Sequence, residues 1–173
     1  MHCFWEGEAN LGNLNGIIST NPGYMNGYEV VEVEFNPSVI SFSELVEKAK
    51  YGDAASKVFF QDETQRITAN NLFGENSVSV IGTFRPDNDP KRYLSQTSYR
   101  YVPMTNLQAS RVNSAIAGGQ SPERLLSPSQ LKLHEFIKNH PDYEWQNSVA
   151  SNDFTKAWNT AMTIVTNHYD ERI

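Results

Sequence analysis

Apolar and polar positions alternate most regularly between Glu29 and Phe35, where Val31, Val33 and Phe35 fall on one side and Glu32 and Glu34 on the other. A period of two is the mark of a half-buried strand, and Asn36-Pro37 ends it. The period then lengthens. Ser41-Phe42-Ser43-Glu44 reads as a capping box, and Leu45, Val46 and Ala49 follow at helical spacing. Upstream, Phe4, Leu11 and Leu14 share one face of a short helix over residues 3–14, stopped by Asn15-Gly16. Ile17-Ile18 predicts a brief strand that Asn21-Pro22-Gly23 breaks.

Further along, Lys57-Val58-Phe59-Phe60 predicts a buried strand, residues 62–72 a polar helix, and Val78 with Val80 an edge strand. Residues 85–101, with Pro86-Asp87-Asn88-Asp89-Pro90, read as loop-rich. Three helices follow, the first two capped. One opens at Thr105 with Gln108 and closes at Gly118-Gly119, and a second opens at Ser127-Pro128-Ser129-Gln130 with proline at its first position. The last runs over about 152–169, where Phe154, Trp158, Ala161, Met162 and Val165 form a stripe. Strands with interposed helices first and helices alone afterwards predict an α/β or α+β domain with a helical C-terminal part.

At 173 residues the chain is long enough to bury a core without disulfides or metal. Twenty acidic against fourteen basic residues give a net charge of -6, which excludes the basic field of non-specific nucleic-acid binding. No apolar run approaches a membrane span, and no basic-then-apolar leader opens the sequence. The expected compartment is therefore the cytoplasm, or the periplasm or cell exterior if a leader precedes this start. With one cysteine, Cys3, there is no internal disulfide, no CxxC redox pair and no multi-thiolate zinc site.

That cysteine carries the candidate chemistry. Cys3-Phe4-Trp5 lies where the first helix begins, and backbone N–H groups at a helix N-terminus favour a thiolate. Two aromatic side chains beside it can wall a dry pocket, in which a carboxylic acid keeps its proton at neutral pH. A thiolate, an aromatic box and a proton-bearing acid suit attack on a polarised sulfur. The competing local reading is that Cys3 is a small buried hydrophobe and its neighbours are core. Glu29 is unusual among the acids of its strand because its parity puts it with Val31, Val33 and Phe35 rather than with Glu32 and Glu34. Glu8 is read as structural, His2 as a surface histidine, and Asp62 equally as a site residue or as a helix N-cap. His134, His140 and His168 show no metal-ligand spacing, and Tyr143, Trp145, Trp158 and Tyr169 read as packing residues.

The order of several short motifs resembles the A-type peptide methionine sulfoxide reductases. That family's Gly-Cys-Phe-Trp, with a glutamate at a fixed offset, is similar to His2-Cys3-Phe4-Trp5 with Glu8. Its Leu-x-Gly-Val-x-x-Thr resembles Leu14-Asn15-Gly16-Ile17-Ile18-Ser19-Thr20, and its Gly-Tyr-x-Gly-Gly turn resembles Gly23-Tyr24-Met25-Asn26-Gly27. The Gly-His-Ala-Glu-Val-Val strand and its Phe-Asp-Pro end match Gly27-Tyr28-Glu29-Val30-Val31 through Phe35-Asn36-Pro37, and an Ile-Ser-Tyr helix start matches Ile40-Ser41-Phe42. The chain also departs from the family. The loop carrying Pro-Thr-Tyr ahead of the glutamate strand is cut short, and Asp-x-Gly-Thr-Gln-Tyr-Arg-Ser is reduced to Asp62-Glu63-Thr64-Gln65-Arg66. Family members carry a strand before Gly-Cys-Phe-Trp, whereas Met1 stands two residues ahead of Cys3, so either the start is misassigned and the sheet lacks its central strand, or the fold compensates.

The resemblance implies a mixed sheet with flanking helices and a ferredoxin-like core over residues 1–118, extended by a helical segment over 119–173. It implies that Cys3 attacks the sulfoxide sulfur, that Glu29 is the buried acid protonating the oxygen, and that Phe4 and Trp5 enclose the methyl group. Tyr24, Tyr28 and Asp62 would form the polar rim. The implied activity is thiol-dependent reduction of methionine-S-sulfoxide, free or peptide-bound, through a Cys3 sulfenic acid. No metal or cofactor is implied. With no second cysteine, an external thiol such as thioredoxin or glutaredoxin is the expected reductant, acting on a monomer with neither nucleic acid nor membrane as partner. The alternatives are a degenerate, non-catalytic binding module and a thiol redox sensor.

Overall fold

Strand alternation, helix caps and turn glycines together set the architecture of a computed structural model that describes residues 3–149, 151 and 153–170. His2 lies outside the described residues. The fold is mixed α/β, as expected, and the chain divides into two compact units, Met1–Asp89 and Pro90–Ile173. The boundary expected at residue 118 falls at the end of a helix inside the second unit.

In the first unit, helix α1 (Phe4–Gly12) starts at Cys3, whose extended backbone (φ -150°, ψ 134°) makes it the N-cap. Strands β1 (Ile17–Met25) and β2 (Tyr28–Phe35) form an antiparallel hairpin. The connection is Asn26-Gly27, both at positive φ (51° and 81°), which is what a two-residue type I′ turn demands. Helix α2 (Phe42–Tyr51) carries the Ser41/Glu44 capping box expected from the sequence. Its Leu45 and Ala49 bury against Leu11, Ile17, Ile40 and Ala54, with Val31, Val33 and Phe35 of β2 packed alongside. Burial of such side chains supplies about 1.5–3 kcal/mol each for the larger ones, and this cluster fixes α1 and α2 on one face of the hairpin.

The brief strand expected at Ile17-Ile18 runs instead through Asn21-Pro22-Gly23 to Met25. Two local facts explain the correction. The Pro22 carbonyl accepts from Asp87 N–H (2.9 Å), so the Pro22 backbone faces away from β2 and its missing N–H leaves the hairpin ladder intact. At Gly23 a Cβ would sit 2.5 Å from the Arg85 carbonyl oxygen and 2.5 Å from the Phe84 ring. Glycine is thus required for β5 (Arg85–Pro86) to pair on the other side of β1. The antiparallel sheet has the order β2-β1-β5. Strands β3 (Val58–Phe60) and β4 (Val78–Val80) form a separate parallel pair joined through helix α3 (Glu63–Phe73).

The second unit is helical among its described residues: α4 (Arg92–Ser95), α5 (Asn106–Ala117), α6 (Pro128–Asn139) and α7 (Phe154–Asp170). The residues read as loop-rich therefore hold β5, α4 and a 3-10 turn at Ser98–Tyr101. The expected Thr105/Gln108 and Ser127/Gln130 boxes both form. Leu94, Val102, Val112, Leu133, Ile137 and Ala161 make the core. Buried Gln130 donates to the Pro103 carbonyl (2.7 Å) and accepts from Ser127 N–H (2.9 Å), satisfying groups that would otherwise be stranded.

Candidate active site

Cys3 is half-buried at the start of α1, and its carbonyl accepts the first helical hydrogen bond from Gly7 N–H (3.1 Å). The next residue, Phe4, is 3% exposed. Its ring stacks on Trp5 (centroids 5.1 Å, planes 22° apart) and tilts against Tyr24 (5.3 Å). Trp5 Nε1–H donates to Asp87 Oδ2 (3.3 Å). The aromatic pair after the cysteine is therefore split in use, with Phe4 anchoring the helix on the sheet and half-buried Trp5 tied to the segment after β5.

Glu29 comes to the same place from the sheet. Tyr24 and Glu29 face each other across β1 and β2, and Glu29 shares the sheet face of Val31, Val33 and Phe35. Its Oε2 accepts from Phe4 N–H at 3.1 Å, so a carboxylate meets the helix start one peptide unit from Cys3. The burial expected of Glu29 is not found, because the residue is exposed. It is the second residue of β2, close after the exposed Asn26-Gly27 turn, and the first turn of α1 meets it through Phe4 N–H.

The other candidates scatter. Tyr28 is 51% exposed and, one position before Glu29, points to the opposite face of β2. Its ring lies against Phe59 (6.2 Å), with Lys57 Nζ 4.6 Å from its centroid. Asp62 is the N-cap of α3, accepting from Gln65 N–H at 2.8 Å, on an exposed surface. Glu8 lies on α1 at 0% exposure, and it is engaged in an interaction there. Two residues that the sequence reading missed join the site. Asp87 holds Trp5, and the Arg85 guanidinium lies 4.3 Å from the centroid of the Tyr24 ring. Their only signal was a turn-rich run, which says nothing about what a turn touches.

A cleft of about 770 Å³ in this unit is lined by Glu29 but not by Cys3, Phe4 or Trp5. It runs along β2, and Tyr28 and Glu29 line it while the thiol does not. Among the described residues no group of three or more His, Cys, Asp or Glu is placed to hold a metal, and no helix is long and apolar enough to cross a membrane. A cysteine at a helix start, with two aromatics and a carboxyl group beside its peptide, can hold a small apolar group, attack a polarised, electrophilic sulfur on it and supply a proton to the leaving atom.

No family model matches the chain. Individual relatives do. A peptide methionine sulfoxide reductase MsrA from Sulfolobus acidocaldarius is 36% identical over 162 residues, covering 83% of this chain and 81% of the relative. An MsrA from Vibrio vulnificus is 28% identical over 135 residues, covering 67% of this chain and 59% of the relative. A peptide methionine sulfoxide reductase from Drosophila melanogaster is 31% identical over 94 residues, covering 40% of this chain and 38% of the relative. The chain thus spans well under two thirds of the length of the last two.

Proposed function

The chain belongs to the family of A-type peptide methionine sulfoxide reductases, and from that premise we propose that it reduces methionine-S-sulfoxide, free or peptide-bound, with Cys3 as nucleophile and Glu29 as proton donor. The observation that carries the reading is the 3.1 Å hydrogen bond from Phe4 N–H to Glu29 Oε2, which holds a carboxyl group at the peptide next to the thiol.

The Cys3 sulfur attacks the sulfoxide sulfur while the Glu29 carboxyl protonates the oxygen. An oxide leaving without a proton is a very poor leaving group, and a positioned acid contributes about 10²–10⁴-fold. The oxygen passes to Cys3, giving a sulfenic acid and leaving methionine, so the substrate sulfur is reduced and the cysteine sulfur oxidised. One external thiol then attacks the sulfenic acid and releases water, forming a mixed disulfide, and a second thiol frees Cys3. The single cysteine of this sequence supports the external route. A thioredoxin or glutaredoxin supplies both equivalents as one dithiol. Trp5 walls the methyl side with the buried Phe4 ring stacked behind it, and Tyr24, beside Phe4, supplies a hydroxyl to the polar rim. Exposed Glu29 gains its dry surroundings from the substrate itself, whose apolar methylthio group covers the carboxyl on docking.

A steady-state assay with a methyl sulfoxide substrate and dithiothreitol tests this. Turnover is expected in the native chain, abolished in Cys3→Ser and lowered at least a hundredfold in Glu29→Gln. No turnover in the native chain would instead support a binding module, and peroxide oxidation of Cys3 without sulfoxide reduction a redox sensor.

A further inference from the structure

Three residues stand in one row across the antiparallel sheet. Glu29 of β2 is opposite Tyr24 of β1, and Tyr24 is opposite Arg85 of β5. Directly opposed residues of paired strands put their side chains on the same face, so the row rises from the face that carries Val31, Val33 and Phe35. Its two ends are two strand spacings apart, about 10 Å. Phe4 meets the first two members, with its N–H on Glu29 and its ring against Tyr24, and Cys3 is the residue before it. The row therefore starts at the carboxyl group beside the thiol and ends at a cation.

Arg85 is exposed, and its guanidinium lies 4.3 Å from the centroid of the Tyr24 ring, which holds it in place. A ring face attracts the charge but gives the planar fork of N–H donors no oxygen acceptor. Among the described residues, no carboxylate lies within ion-pair distance of Arg85 and no acceptor within hydrogen-bond distance of its guanidinium. Asp87, next but one along the chain, is taken up by the Trp5 indole and by Asp89 N–H. A positioned guanidinium with open donors matches a carboxylate, to which it gives two parallel hydrogen bonds. The chain as a whole carries a charge of -6, so a local cation sets this spot apart from its surroundings.

We propose that Arg85 is a specificity-determining residue that receives a carboxylate of the substrate. The inference rests on the reductase reading, because that reading puts the sulfoxide between Cys3 and Glu29. From there the methionine side chain leads along the row, and the α-carboxylate of free or C-terminal methionine sulfoxide reaches Arg85. In a longer peptide the same place is taken by an acidic side chain on the next residue, one Cα step of about 3.8 Å further on. The sulfoxide is read at Glu29 and the carboxylate at Arg85, with Tyr24 supporting the guanidinium between them.

The test compares kcat/KM on two pairs of substrates with dithiothreitol as reductant. The first pair is N-acetyl-methionine-S-sulfoxide and its amide, which differ in the α-carboxylate. The second is an end-capped dipeptide of methionine-S-sulfoxide followed by aspartate or by asparagine, which differ in a side-chain carboxylate. The acid of at least one pair is expected to be preferred at least tenfold, and the pair that shows the preference identifies the source of the carboxylate. That preference is expected to vanish in Arg85→Gln, to reverse in Arg85→Glu and to shrink in about 1 M salt. Arg85→Lys is expected to retain it, which separates recognition of charge from a structural role of the guanidinium on the Tyr24 ring. Equal kcat/KM within both pairs overturns the inference, as does a preference unchanged in Arg85→Gln, and both results leave the reductase reading standing. No turnover of any of these substrates overturns that reading, and this inference with it.

Discussion

Tyr24 and Glu29 stand opposite each other on β1 and β2, and each holds the residue after Cys3, the tyrosine by packing on the Phe4 ring at 5.3 Å and the glutamate by accepting from Phe4 N–H at 3.1 Å. A single cross-strand pair therefore fixes the start of α1, and with it the thiol, on the hairpin. The two parts of Tyr24 are separable. Tyr24→Ala removes the ring and is expected to lower unfolding stability by about 2–3 kcal/mol, below the range for a fully buried aromatic. Tyr24→Phe keeps the ring and is expected to leave the denaturation midpoint in place while lowering kcat/KM up to about tenfold, the worth of one hydrogen bond. Urea denaturation and sulfoxide kinetics on the two variants check both halves.

Asp87 Oδ2 accepts from the Trp5 indole N–H (3.3 Å) and from Asp89 N–H (3.0 Å), joining Trp5 to the turn after β5. Asp87→Asn keeps an acceptor and is expected to change kcat/KM less than threefold. Asp87→Ala removes this acceptor and is expected to raise KM with little change in kcat, because the wall of the methyl site is loosened rather than the chemistry removed. Equal kcat values with a KM shift in the alanine variant alone would bear this out.

Gly23 holds β5 against β1, and through β5 it positions Arg85 over Tyr24 and Asp87 beside Trp5. A methyl group there meets backbone at 2.5 Å, which must move. Gly23→Ala is expected to destabilise the first unit by about 1–3 kcal/mol, the usual result of overpacking, and to raise KM as Asp87→Ala does. Melting curves and kinetics on the same sample read both effects.

His134 sits on α6, 8% exposed, with its ring stacked on Tyr99 at 3.7 Å and Nε2 2.8 Å from Ser98 Oγ. Burial, with Lys138 nearby, pushes its pKa below the ordinary 6.5, while Glu123 opposes the shift. As pH falls through 6.5 the unfolded chain takes up a proton before the folded one, so stability drops until the folded-state value is passed. Above 6.5 the contribution is complete. Amide exchange in α6 is expected to quicken between neutral pH and about pH 5, after correction for intrinsic rates, and His134→Gln is expected to flatten that dependence.

Local chemistry was the legible part of this chain. Ser41/Glu44, Thr105/Gln108 and Ser127/Gln130 each satisfy orphan N–H groups with residues three apart, and all three caps form where the sequence puts them. The face of Glu29 was readable for the same reason, since side-chain direction in a strand is a matter of parity. Its exposure was not, because burial at a sheet end depends on what lies over it, and Glu29 follows directly on the exposed Asn26-Gly27 turn. Pro22 and Gly23 carried a turn signature that the sheet overrode. Both are tolerated in β1 because the Pro22 backbone faces away from β2 and because β5 needs the space above Gly23. Asp87 and Arg85 were invisible as site residues, since their roles come from a strand of two residues whose pairing no periodicity announces.

The most direct measurement is mass spectrometry of Cys3 after a single turnover with a methionine-S-sulfoxide peptide and no reductant. One oxygen on Cys3, trapped as the sulfenic acid, is predicted for each methionine formed, with both absent in Cys3→Ser. Methionine formed without oxygen on Cys3, or formed equally by Cys3→Ser, would contradict the account.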